Sequence, residues 1–432
     1  MSSLDREATD RQERMAKKGA LISGGITAVF AVVLIWLTMS SSDDEPTALA
    51  TQDAIAIPAT TAAPTTTSTT HAPVENTTTA VPRSDPAEWV TEWGDGPPTA
   101  LAAAAAAAPA DSTTTTVAAP AVTGPAPVSI PRPNCANNVG AATTRTAPFT
   151  GLSASIPANL PAVVVKVSNN DSRSRASLIG LDEADIVIEE RIEASATRFF
   201  AVFHSQTPPN VGPVRSGRTT DLKLAQNLNR PVFGYSGSNE GVARQIRAAA
   251  DGGLLVPFIN TDSAPFARDG RYRAPDNLFV DPAALGGCGG GGNPTPIFSY
   301  GANNSTSAQA ASSVSLAARS PYRFDWDGSS WVRSQDGTTH TTRTGEVLAP
   351  ENVVVLFVPY VPSEVDNQSV DAISVGTGAA WIFRDGTATI GNYRRDGGAD
   401  PYTLTDANGS AVNLAPGQTW VVLAPAGSAS WN

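Results

Sequence analysis

Polar and apolar positions change rhythm several times along the 432 residues. Residues 19–40, "GALISGGITAVFAVVLIWLTMS", carry no charge, and about 20 apolar residues suffice for a helix to cross a hydrocarbon core. Lys17 and Lys18 precede this run, whereas Asp43, Asp44 and Glu45 follow it. The positive-inside rule therefore predicts a single-pass transmembrane helix with a cytoplasmic tail, residues 1–18, and everything after residue 40 outside. A cleaved signal peptide is the competing reading, but its apolar region is usually only about 7 to 15 residues long. Over 41–150 the periodicity disappears. Thr, Ala and Pro dominate, as in "TTAAPTTTSTT", and such a stretch cannot bury enough apolar surface to offset its ordering entropy. A disordered stalk of the kind that carries O-glycans is expected there. Trp89 and Trp93 stand four apart within it, either as a docking epitope or as a transient turn in a linker.

Ordered patterning begins near residue 151. "PAVVVKV", "ADIVIEE" and "ATRFFAVF" read as buried strands bounded by polar or turn-forming residues. "DLKLAQNL" follows with a helical stripe, then "PVFGYSG" as a strand, "SNEGVARQIRAAA" as a helix capped by Ser238, and "LLVPFI" as a further strand. Strands alternating with helices predict an α/β layer domain over 151–290. A Gly, Asn and Ser rich linker is expected at 291–315. From 316 to 432 the runs "YRFDWDG", "ENVVVLFVPY", "GAAWIFRDG", "GTATIGNYRR" and "QTWVVLAP" are short, aromatic or β-branched, and divided by turn signals. They predict a smaller antiparallel β-rich domain, so the fold class is α+β.

Composition narrows the partners. A net charge of −11 argues against nucleic acid, which a basic face would bind. The membrane, through the N-terminal helix, and a cell-wall polymer or envelope protein are the partners expected at this address. Two cysteines outside the cell, Cys135 and Cys288, suggest a disulfide, with unpaired thiols in flexible segments as the alternative. Neither a metal site nor a cofactor motif is expected with so few Cys and His.

The candidate chemistry centres on "VGPVRSGRTTD". Arg215 and Arg218 flank Ser216 just before a helix, where cations are misplaced against the positive helix end unless something negative lies beside them. One reading pairs a buried Glu190 with Arg198 or Arg215. The sharper one is an anion cradle formed by Arg215, Arg218 and Ser216, with Ser236 and Gly237 of "YSGSNE" at a parallel strand-to-helix turn. Open α/β sheets bind ligands at such turns. The lone His204 has no nucleophile attached to it, and no hydrolase or P-loop motif is present, so catalytic residues are unassigned. Acid or base chemistry through Glu190 or Asp276, acting on a cell-wall polymer as a hydrolase or transferase, remains the alternative to simple binding.

In order, "VVVKVSN", "ADIVIEERIEASATRFFAVF", "VGPVRSGRTTDLKLA", "GYSGSNEGV" and "RAPDNLF" resemble the N-terminal part of the YerB-like family, domain of unknown function 3048. "YRFDWDGSSWVRSQDG", "ENVVVLFV" and "LAPGQTWVVL" resemble its C-terminal part. The resemblance spans about residues 155 to 425. It implies a bacterial, extracytoplasmic, membrane-attached protein with no established activity, and points to Glu190, Arg198, Arg215, Ser216, Arg218, Ser236, Gly237, Arg273 and Asn277.

Overall fold

The computed structural model describes residues 139–260 and 265–432. The apolar run at 19–40, the stalk up to residue 138 and Cys135 lie outside them; among the described residues no helix is long and apolar enough to cross a membrane. The described part is β-rich, with few helices and several sheets.

Its centre is one mixed sheet of eleven strands. In chain order these are β1 (Val163–Asn169), β2 (Ile186–Arg191), β3 (Thr197–Phe203), β4 (Val232–Tyr235), β5 (Val256–Ile259), β6 (Gln309–Ala310), β7 (Asn352–Phe357), β8 (Gly376–Arg384), β9 (Thr387–Arg395), β10 (Thr403–Asp406) and β11 (Thr419–Ala424). Across the sheet the order is β6, β9, β8, β7, β11, β2, β3, β1, β4, β5, with β10 paired to β9. The halves on either side of 291–315 are therefore joined by hydrogen bonds: β11 lies parallel to both β7 and β2, with Thr419 opposite Ile186 and Val422 opposite Glu189. The C-terminal half is thus not purely antiparallel. Its last long strand is apolar after Thr419 and buried on both faces, which is how a strand in mid-sheet reads. The segment expected as a linker also contributes strand β6 and Ser313–Leu316.

Two layers cover the sheet. One face, with Val165, Val167, Phe199, Val355 and Trp420, packs on a five-stranded antiparallel sheet through Val314, Phe324 and Trp331. The other face, with Val164, Ile188, Phe200 and Val354, packs on helices α2 (Thr219–Ala225) and α3 (Glu240–Asp251), which present Leu224, Val242 and Ile246. Two further helices are α1 (Ser172–Ala176) and α4 (Pro282–Gly289). The latter ends just before the segment expected as a linker and is started by Asp281, whose carboxylate accepts from the Ala284 N–H. The cap of α3 is Asn239, whose side chain accepts from the Val242 N–H, one residue beyond Ser238. Cys288 is disulfide-bonded.

Candidate functional site

Period-two alternation sends neighbouring residues of β2 to opposite faces, and the two glutamates of "VIEER" follow it. Glu189 enters the sheet-on-sheet core. It accepts from Arg333 Nη2 at 3.0 Å, Trp420 Nε1 at 3.0 Å and Thr197 Oγ1 at 2.8 Å. The Arg333 guanidinium is fully buried and stacks over Tyr322 at 4.6 Å. This pair ties the two halves together and has no opening to a ligand.

Glu190 enters the helical layer. Its carboxylate receives Lys166 Nζ, from the middle of β1, and the same ammonium donates to Asp221 Oδ1 at 2.6 Å. All three side chains are at most 1% exposed. Burial pushes the Glu190 carboxyl up to about 7, with Lys166 opposing and Asp221 adding to the rise. Neither Arg198 nor Arg215 is therefore the partner of Glu190; a lysine inside a valine run takes that role.

Above this triad, at the carboxyl ends of β1 and β4, the segment 213–217 threads between the strands. The Arg215 N–H donates to the Lys166 carbonyl at 2.8 Å, the Ser236 N–H to the Arg215 carbonyl at 2.8 Å, and the Gly217 N–H to the Gly237 carbonyl at 3.0 Å. Gly237 has φ +71 with open space around it, a conformation that glycine adopts without strain. Glu190, Arg198, Arg215, Ser216, Arg218, Ser236 and Gly237 thus lie in one neighbourhood.

The three guanidiniums differ. Arg218 is held by Glu193, Nη2 to Oε2 at 2.9 Å and Nε to Oε1 at 2.8 Å; this outweighs the opposing burial and lowers the Glu193 pKa. Arg215 donates to Ser168 Oγ at 3.3 Å and sits 3.4 Å from Asp276 Oδ1, an ion pair without a hydrogen bond. Burial raises the Asp276 pKa, opposed by Arg215 and assisted by Asp171. Arg198, only 5% exposed, donates Nη1 to the Ser216 carbonyl at 3.0 Å, while its Nε has no hydrogen-bond partner and among the described residues no carboxylate forms an ion pair with it. Burial first, then the charges of Arg218 and Arg215, bring it down to about 10 against the opposing charges of Glu193 and Glu190. At the start of α2 the Arg218 N–H is satisfied by Asp221 Oδ2 at 2.7 Å. The negative charge that a helix-start cation requires thus comes from Asp221 and Glu193.

Arg273 and Asn277 belong to the loop that brings Asp276 to Arg215. Arg273 is exposed, and Asn277 Oδ1 accepts from Arg268 at 2.7 Å, so neither side chain faces the arginine cluster through a hydrogen bond. Sequence reasoning missed the far wall. A hairpin of the C-terminal half, Tyr360–Ser363 with Asp366–Ala372, lies across the site. Ser369 Oγ donates to Glu193 Oε1 at 2.7 Å, Asn239 donates to Asp366 at 2.8 Å, and Thr220 donates to Asp371 at 3.1 Å.

A mixed sheet with helices on one face, a second sheet on the other and a charged crevice at the strand ends defines a β-rich module. The sequence matches "Protein of unknown function (DUF3048) N-terminal domain" over residues 149–289 and the corresponding C-terminal domain over 311–421, more than half of the chain together. The protein belongs to this family. It is 27% identical over 305 residues to "Putative lipoprotein YerB" of Bacillus subtilis (strain 168), covering 65% of this chain and 86% of that protein. The crystal structure of YerB from Bacillus subtilis superimposes with a TM-score of 0.57 at 24% identity, covering 67% of this chain and 99% of that one, a likeness of fold.

Proposed function

We propose that this protein is a membrane-attached, extracytoplasmic module that holds an anionic group of a cell-envelope polymer in the arginine crevice. The observation that carries this reading is Arg198. A guanidinium that is nearly fully buried, has no carboxylate within ion-pair distance among the described residues and stands beside two more arginines is destabilised by desolvation and like charge, which Glu193 and Glu190 offset only in part, and a bound anion lowers both costs. Arg215 supports it as well, since its contact with Asp276 is a 3.4 Å ion pair without a hydrogen bond, which leaves donors for a ligand. The position in the envelope rests on the uncharged run 19–40 and on the lipoprotein name of the Bacillus relative. The Gly140 N–H bonds to the Ala158 carbonyl beside the start of β1, so the chain enters the fold at the end of the strands opposite the crevice.

Glu190 favours a second reading. A carboxyl near 7 is suited to acid and base work at neutral pH, as a hydrolase or transferase of the same polymer requires. The two readings differ in turnover. The protein is incubated with purified wall fractions, and both retained protein and released fragments are measured by mass spectrometry. Retention that phosphate competes away, without fragments, supports binding; fragments that disappear in Glu190→Gln support the enzyme; neither retention nor fragments refutes both.

A further inference from the structure

We propose that a cavity at the opposite end of the strands is a separate site for a small hydroxy-carboxylate of the sugar-acid class. Its volume is about 720 Å³, within the range of small-molecule pockets, and Arg145, Asn159, His204, Asn293, Phe298 and Tyr300 line it. Its chemistry is one-sided. Arg145 is the one cation, and no carboxylate stands among the described lining residues. The guanidinium is half-buried, and its recorded hydrogen bond goes to the Pro157 carbonyl at 3.2 Å, which leaves donors for a bidentate carboxylate.

His204 supplies the second requirement. The ring is 2% exposed, and Nε2 lies 3.2 Å from the Leu160 carbonyl. Burial, with the charge of Arg145 beside it, brings the imidazole down to about 4, so it is neutral at physiological pH. With the proton on Nε2 and donated to that carbonyl, Nδ1 is a bare acceptor, and it has no partner. A buried acceptor in that state is costly unless a ligand donor meets it. A cation next to an empty acceptor suits a carboxylate with a neighbouring hydroxyl: the carboxylate accepts from Arg145 and the hydroxyl donates to His204. The amides of Asn159 and Asn293, 3.5 Å apart, can bind further hydroxyls. The Tyr300 hydroxyl is engaged with the Phe149 carbonyl, so this residue offers the ligand its ring rather than a polar group. Pro148, Pro294 and Pro296 stiffen the walls, which keeps the cavity formed in advance of binding.

Calorimetric titration of the full-length chain in detergent micelles tests the assignment, with sodium D-glucuronate, D-glucose and sodium acetate as probes. Glucuronate should bind at least tenfold more tightly than either glucose, which lacks the carboxylate, or acetate, which lacks the hydroxyls. Arg145→Gln should weaken glucuronate at least tenfold, Arg145→Lys should recover part of the loss, and the distant surface change Arg323→Gln should have no effect. Asn293→Ala, at an exposed position that the fold does not need, should weaken it severalfold. Glucuronate binding no tighter than glucose or acetate, or unaltered by Arg145→Gln, overturns the proposal.

Discussion

Replacing Lys166 by Met keeps the length of the side chain and removes its charge. The side chain of Lys166 is 0% exposed and those of Glu190 and Asp221 are no more accessible than 1%, so the change strands two carboxyl groups in a dry interior. Breaking a buried pair by removing one partner costs about 3 to 5 kcal/mol. The pH dependence identifies the cause. In the wild type the folded-state pKa of Glu190, about 7, lies above its unfolded value, so the folded state binds more protons between them. The contribution of Glu190 to stability is therefore fully present below about 4.5 and lost as pH rises through 7, at a slope of at most about 1.4 kcal/mol per pH unit. Without the ammonium, the principal influence holding Glu190 down is gone and the losing window extends above pH 7. The deficit of Lys166→Met should therefore be larger at pH 8, about 3 to 5 kcal/mol, and shrink toward pH 5, where a protonated Glu190 can donate to Asp221. Urea unfolding of a soluble chain starting at residue 82, followed by tryptophan fluorescence at both pH values, measures it. A deficit under about 1 kcal/mol at pH 8, or one that does not change with pH, refutes the reasoning.

Arg333→Met should also cost about 3 to 5 kcal/mol, because it leaves the Glu189 carboxyl without its cation between the two sheets, and adding Glu189→Leu should recover most of the loss in the same urea assay. Tyr360→Phe removes a hydroxyl that accepts from the Arg191 N–H and donates to the Leu423 carbonyl, each at 2.9 Å, and should lower stability by about 1 to 3 kcal/mol. If Cys135 is the partner of Cys288, reduction opens a loop of some 150 residues and should cost about 4 to 5 kcal/mol in the chain-entropy account; non-reducing peptide mapping should show the two joined.

Local signals carried much of this architecture. Alternation within "VIEER" separates Glu189 from Glu190, and the strand-to-helix turns at Ser216 and Gly237 do converge. The ion pairing was less legible. Lys166 in "VVVKV" is itself a flag, since lysine is almost never fully buried without a partner, but nothing local says that its partners lie 24 and 55 residues away. The insertion of β11 between β7 and β2 is harder still. Parallel pairing with a strand more than 200 residues distant leaves no trace in local periodicity beyond an apolar run, so the two halves read as separate domains. The hairpin over the crevice was hidden for the same reason: Ser369 and Asp371 acquire their roles only once the C-terminal half is folded against α2.

The proposed function requires that Arg198 is kept buried and without a paired carboxylate for the sake of an anion, and the most direct measurement is the melting temperature of wild type and Arg198→Met with and without inorganic phosphate. The account predicts that phosphate raises the wild-type value, in proportion to RT ln(1 + [L]/Kd), and that the variant melts at or slightly above the phosphate-free wild type with no response to phosphate. A phosphate response that persists in Arg198→Met, or a wild type indifferent to phosphate while Arg198→Met loses several kcal/mol, would contradict it and make Arg198 a purely structural residue.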